Sequence, residues 1–89
     1  PLPGSYAARA VINGKQYPGM LYIGRCPTLF NDQAVGLEFH AFQNPGNLYG
    51  RELTLEVHKF IRPDKKFGSL DELKQAIAGD QIKIKNYFA

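Results

Sequence analysis

The sequence predicts a mainly β domain, a small antiparallel β-barrel with one C-terminal α-helix closing one end. Three observations carry this. Residues 35–42 and 51–61 alternate apolar and polar side chains with period two, the mark of strands with one face in a core. Asn13-Gly14 and Asn44-Pro45-Gly46-Asn47 are turn sequences set between strand-like runs, and short turns join antiparallel neighbours. After Ser69, the residues Leu70, Leu73, Ile77, Ile84 and Phe88 recur at helical spacing.

The elements follow in order. A first strand is expected near 5–12, ending at Asn13-Gly14, a strong hairpin signal. The return strand is expected at 15–23, with Pro18-Gly19 marking a bulge or an edge, because proline cannot donate to a ladder. Residues 24–34 read as a loop. The third strand, near 34–43, points Val35, Leu37, Phe39 and Ala41 one way and Gly36, Glu38, His40 and Phe42 the other. The fourth, near 49–61, places Leu53, Leu55 and Val57 opposite Glu52, Thr54, Glu56 and His58. Ser69-Leu70-Asp71-Glu72 fits a capping box opening a helix over about 69–86, and Gly79 weakens its middle by ~1 kcal/mol relative to Ala.

Eighty-nine residues make one domain with a thin core. A composition of 44% hydrophobic and 12% aromatic residues, free of low-complexity tracts, argues against disorder. The single Cys26 excludes an internal disulfide framework and a cysteine-based zinc site, and fits a reducing compartment. No apolar run approaches the ~20 residues of a membrane span, and no signal-peptide pattern opens the chain. The expectation is a cytoplasmic protein without membrane contact. A start at Pro1 without Met points to processing or to a piece of a longer chain. The net charge of +3 is mild, with the cations gathered late at Lys59, Arg62, Lys65, Lys66, Lys74, Lys83 and Lys85.

Glu38 and His40 share a strand face, and an acid beside an imidazole is the material of general acid/base chemistry. The same pair is ordinary on the wet face of a sheet. Glu38, His40 and His58 do not have the spacing that would enforce a metal site. Gly24-Arg25-Cys26-Pro27-Thr28 offers a glycine and a cation to a phosphate but lacks a Walker or dinucleotide pattern, and by itself is a turn. Ile61 to Phe67 is basic with one aromatic, less than nucleic-acid binders on small barrels carry, so nucleic acid is not the expected partner.

Together these segments resemble the riboflavin kinase module found at the C-terminal end of bacterial bifunctional riboflavin kinase/FAD synthetases (FMN adenylyltransferases). Pro3-Gly4-Ser5-Tyr6-Ala7 looks like that family's "PxGVYA", and Tyr17-Pro18-Gly19-Met20 with Ile23-Gly24 and Arg25-Cys26-Pro27-Thr28 looks like "YPGVANIGxRPTF". Glu38-Phe39-His40 with Leu48-Tyr49-Gly50 matches "ExH…DLYG". Phe60-Ile61-Arg62-Pro63, Lys65-Lys66-Phe67 and Ser69-Leu70 look like "xLRPExKFxSLExL". The resemblance spans essentially all of residues 1–89, read as one riboflavin kinase-like domain forming a C-terminal part of a longer chain.

The resemblance implies a riboflavin kinase-like barrel that phosphorylates the 5′-hydroxyl of riboflavin with Mg²⁺–ATP, giving FMN. Glu38 would be the general base, and Arg62, on a mobile loop before the helix, would meet the flavin. Within residues 1–89 no metal ligand is expected. An adenylyltransferase domain would precede the module in the full-length chain. The chain departs from the pattern at Tyr22 (Asn in the family), at Asn47 (Asp) and at Gln43-Asn44 ("DF"). Residues 1–89 also lack the family's Gly-rich segment and "PTAN" motif, which hold Mg²⁺–ATP, so this stretch alone is expected to be inactive. Two further readings stand beside the enzyme: a non-catalytic flavin-binding remnant, and a small-barrel interaction domain for nucleic acid or protein.

Overall fold

The computed structural model of the protein describes residues 2–25, 35–47 and 50–89. Four strands, β1 (Gly4–Ile12), β2 (Lys15–Arg25), β3 (Val35–Ala41) and β4 (Leu53–Pro63), are followed by one helix, α1 (Leu70–Phe88). Every pairing is antiparallel, in the order β3-β2-β1-β4. The mainly β fold with one C-terminal helix is therefore as expected, and barrel describes its antiparallel sheet only loosely. The described sheet is open, with β3 and β4 as its edges, because four strands do not come round to pair with each other.

Local sequence explains the joins. Asn13 and Gly14 have φ values of 52° and 77°, the pair of left-handed residues a two-residue hairpin requires. Pro18 needs no bulge in β2. Pairing with β3 starts at Gly19, and the Pro18 carbonyl accepts from the Phe42 N–H at 3.0 Å just past the end of β3. The missing proline donor thus falls outside the ladder.

Two boundaries differ from the sequence reading in ways that matter. β2 runs on through Gly24 and Arg25, which pair with Gly36 and Val35. β4 begins at Leu53 and ends at Pro63, because Arg62 and Pro63 pair with Ser5 and Gly4, and the Asp64 N–H extends the run to the Pro3 carbonyl at 3.0 Å. Arg62 is thus a strand residue and not a loop residue. The register of β4 against β1 shifts between Ser5 and Tyr6 and between Ala7 and Ala8. Such bulges bend a strand and re-aim its side chains. Residues 26–34, Leu48 and Tyr49, including the "PT" of Pro27-Thr28, lie outside the described residues.

The sheet has two apolar faces. One gathers Tyr6, Ala8, Leu21 and Ile23 with Phe39 and Leu55 packed against them. The other gathers Ala7 and Met20 under Ile84 of α1, with Phe42, Ile61, Ile77 and Phe88 around them. Alanines at 7 and 8 keep β1 slim enough for packing on both sides. The helix is capped as its sequence reads. Ser69 Oγ accepts from the Glu72 N–H at 3.2 Å, and Glu72 Oε2 accepts from the Gly68 N–H at 2.7 Å, one residue earlier than the expected box. It extends to Phe88, whose ring packs back on the sheet.

Candidate functional site

The register sets one row of side chains across the sheet on the face that α1 covers. Glu38 on β3 stands opposite Tyr22 on β2, Tyr22 opposite Ser5 on β1, and Ser5 opposite Arg62 on β4. At ~4.8 Å per strand the ends of the row are on the order of 14 Å apart. Above the row, between the sheet and the first half of α1, opens a cleft of about 660 Å³. Its floor is this row with Met20, its helix wall is Leu70, Leu73 and Ile77, and its far end is Asp64, Lys65 and Phe67. An apolar slot with a few convergent polar groups, in the 300–1,000 Å³ range, is the usual form of a small-molecule site.

Glu38 and His40 sit two residues apart on β3 and both line the cleft. His40 Nε2 lies 3.1 Å from Glu38 Oε1, and the glutamate side chain is 65% exposed. Glu38 is therefore a solvent-exposed carboxylate on the sheet face that also carries the helix.

Tyr22 stands between the two ends. Its hydroxyl donates to Asp64 Oδ1 at 2.9 Å, reaching past β1 to the segment after β4. Burial pushes the Tyr22 phenol above its ordinary value, and the Asp64 carboxylate holds it there through the hydrogen bond and its charge. Gly24 makes the ring position possible. A Cβ at residue 24 would overlap the Tyr22 hydroxyl and lie 2.5 Å from its ring carbons. The glycine read as half of a phosphate-approaching turn is thus a strand residue that leaves room for its neighbour's ring.

Arg62 is not free. Its Nε lies 2.7 Å and 2.9 Å from the two carboxylate oxygens of Asp80 on α1. Nη1 donates to the Pro63 carbonyl at 3.3 Å, and the Phe67 ring centroid is 5.4 Å from Cζ. Asp80 is 3% exposed at its side chain and also accepts from Ser5 Oγ at 3.3 Å. The expectation of an arginine on a mobile loop is not met: strand pairing and a buried carboxylate hold Arg62 in place.

The cleft thus brings together both residues singled out for function, Glu38 and Arg62, with His40 beside the first. His58 lies elsewhere, against Glu56, Tyr87 and Phe88. Among the described residues, no group of three or more His, Cys, Asp or Glu could hold a metal ion. Sequence reasoning missed Asp80 and its link to Ser5. The signal was there: residues 73, 77, 80, 84 and 88 form one helical stripe, and an aspartate on an apolar stripe needs a partner.

Comparison with known proteins agrees with this picture. A family model described as "Flavokinase: Riboflavin kinase" matches residues 1–88. A bifunctional riboflavin kinase/FMN adenylyltransferase of Pseudomonas fluorescens is 40% identical over 80 residues, covering 90% of this chain and 26% of that protein. The protein of the same description from Escherichia coli K12 is 36% identical over 89 residues, covering 99% and 28%. A trifunctional protein RibF/MnmA of Mycoplasmoides gallisepticum is 35% identical over 85 residues, covering 96% and 13%. The chain therefore spans less than a third of the length of each of these relatives. Among solved structures, a macrolide-efflux protein from Streptococcus pneumoniae superposes with a TM-score of 0.74 at 25% identity, over 90% of this chain and 26% of that one.

Proposed function

The chain belongs to the riboflavin kinase family, and from that premise we propose that it is a kinase module transferring the γ-phosphoryl group of ATP to the 5′-hydroxyl of riboflavin, giving FMN and ADP. The observation that carries the reading is the single cleft holding Glu38 and Arg62 at opposite ends of one cross-strand row. Riboflavin is a planar ring with a polar chain, about as long when extended as the row. The ring suits the apolar slot against Leu73 and Ile77, with its polar edge at Arg62, and the chain then leads to Glu38.

In this arrangement the Glu38 carboxylate accepts the proton of the 5′-hydroxyl as its oxygen attacks the γ-phosphorus, and ADP departs. His40, at 3.1 Å, orients the carboxylate. Magnesium would arrive as part of the Mg²⁺–ATP substrate and would supply charge neutralisation at the phosphates. The names of the relatives support an adenylyltransferase domain elsewhere in the full-length protein, with residues 1–89 as its kinase domain. Among the described residues no helix is long and apolar enough to cross a membrane, and we place the protein in the cytoplasm, where both substrates occur.

The test is FMN formation from riboflavin and Mg²⁺–ATP by the full-length protein and by its Glu38→Gln variant. Turnover is expected to fall by ~10²–10⁴-fold with riboflavin affinity retained, because the amide keeps the shape and loses the basicity. Equal turnover by the variant removes Glu38 from the chemistry. Riboflavin binding without FMN formation by the unmodified protein would favour a non-catalytic flavin module.

A further inference from the structure

Asp80 interrupts the apolar stripe of α1 between Ile77 and Ile84 at a depth where a lone carboxylate is costly. An apolar side chain there would keep the stripe continuous, and a buried ion pair is a poor source of net stability. What the carboxylate does have is a strong directional effect on one guanidinium. It takes Nε with both oxygens, and Ser5 Oγ steadies it from β1. The Pro63 carbonyl takes Nη1, and Phe67 stands 5.4 Å from Cζ. Among the described residues Nη2 has no hydrogen-bond partner, and Arg62 lines the cleft.

We infer that Asp80, seated by Ser5, is a positioning residue that fixes the Arg62 guanidinium with its Nη2 edge turned to a polar acceptor of the ligand in the cleft. The inference rests on the flavin reading above, in which that acceptor is a carbonyl oxygen on the pyrimidine edge of the ring. A guanidinium already ordered by the fold loses little rotamer freedom when the ligand arrives, so its hydrogen bond appears in affinity almost undiminished. Asp80 touches no ligand in this scheme and acts wholly through Arg62.

The experiment is a riboflavin titration followed by flavin fluorescence, paired with ¹⁵N–¹H spectra of the Arg62 Nε–H group, on the unmodified protein and on Asp80→Asn. The unmodified protein is expected to show a protected Nε–H signal. The variant keeps one acceptor oxygen but not the charge, so it should show weakened protection and bind riboflavin about tenfold more weakly, the loss of one hydrogen bond to an ordered cation, while keeping its helical circular dichroism. Should Asp80→Asn fail to fold, Ser5→Ala serves, with a few-fold weakening expected. Weakened protection with unchanged affinity overturns the positioning role alone, and so does unchanged affinity in Ser5→Ala where Asp80→Asn is unfolded. A protected Nε–H in an unmodified protein that does not bind riboflavin overturns the flavin reading and this inference with it.

Discussion

Arg62 on β4 and Asp80 on α1 form the tie between the last strand and the helix, with Nε 2.7 Å from Oδ2 and 2.9 Å from Oδ1. The partners are 18 residues apart in sequence, and the segment between them carries the far end of the cleft, Asp64 to Phe67. Closing this loop with a buried ion pair sets where Phe67 and the helix wall stand relative to the sheet.

Removing the guanidinium is therefore expected to cost stability as well as ligand affinity. Arg62→Ala leaves Asp80 buried with only the Ser5 hydroxyl as partner, at a cost of about 3 kcal/mol. Urea unfolding followed by circular dichroism should show a much lower midpoint. A midpoint equal to that of the unmodified protein would mean that water replaces the guanidinium at no cost.

Tyr22 and Gly24 are expected to act as a unit. Tyr22→Phe removes the hydrogen bond to Asp64, worth about 1 kcal/mol at this partly exposed position. Gly24→Ala, whose Cβ would meet the Tyr22 ring at 2.5 Å, should displace the same ring and lose the same bond. The double variant should then be little worse than either single one in denaturant titrations. Strict additivity would show that Gly24 matters for another reason.

The acid limb of stability should carry a mark of Glu56. Hydrogen bonds from Arg9 and then from His58 hold its carboxyl below the ordinary value of 4.5. The folded state thus holds this proton less tightly than the unfolded state, so the contribution is present above pH 4.5 and is lost as the pH falls through the lower folded value. Arg9→Met should flatten that part of the unfolding midpoint plotted against pH. An acid limb unchanged in Arg9→Met would assign the proton uptake to other carboxylates.

Residues 1–89 alone are expected to form negligible FMN. Phosphoryl transfer needs the γ-phosphate and the attacking oxygen held in line, and in the proposed reading this stretch supplies Glu38 but not the "PTAN" segment expected to hold Mg²⁺–ATP. A longer protein carrying that segment should be active in the same assay. Robust turnover by the 89-residue chain would place the nucleotide site within it.

Much of this was legible in the sequence, for local reasons. Period-two patterning gave the faces of β3, so Glu38 and His40 could be put together, and Asn13-Gly14 set the register of β1 with β2. Cross-strand register beyond a hairpin is not a local property. The in-line placement of Glu38, Tyr22, Ser5 and Arg62 depends on two bulges in the β1–β4 pairing that no residue pattern announces. The fate of Arg62 was misread for the same reason, since its partner Asp80 is fixed by how α1 lies on the sheet. Tyr22 was legible only as a departure from the family pattern, and its bond to Asp64 needed the fold.

The claim that this cleft takes flavin is tested most directly by titrating the ¹⁵N-labelled chain with riboflavin and following its backbone amide signals. Saturable shifts are expected, clustered at Ser5, Tyr22, Glu38, Arg62 and Leu73, the floor and helix wall of the cleft. Shifts confined to the opposite face of the sheet, around Leu55 and Val57, or no shifts at saturating riboflavin, would contradict it.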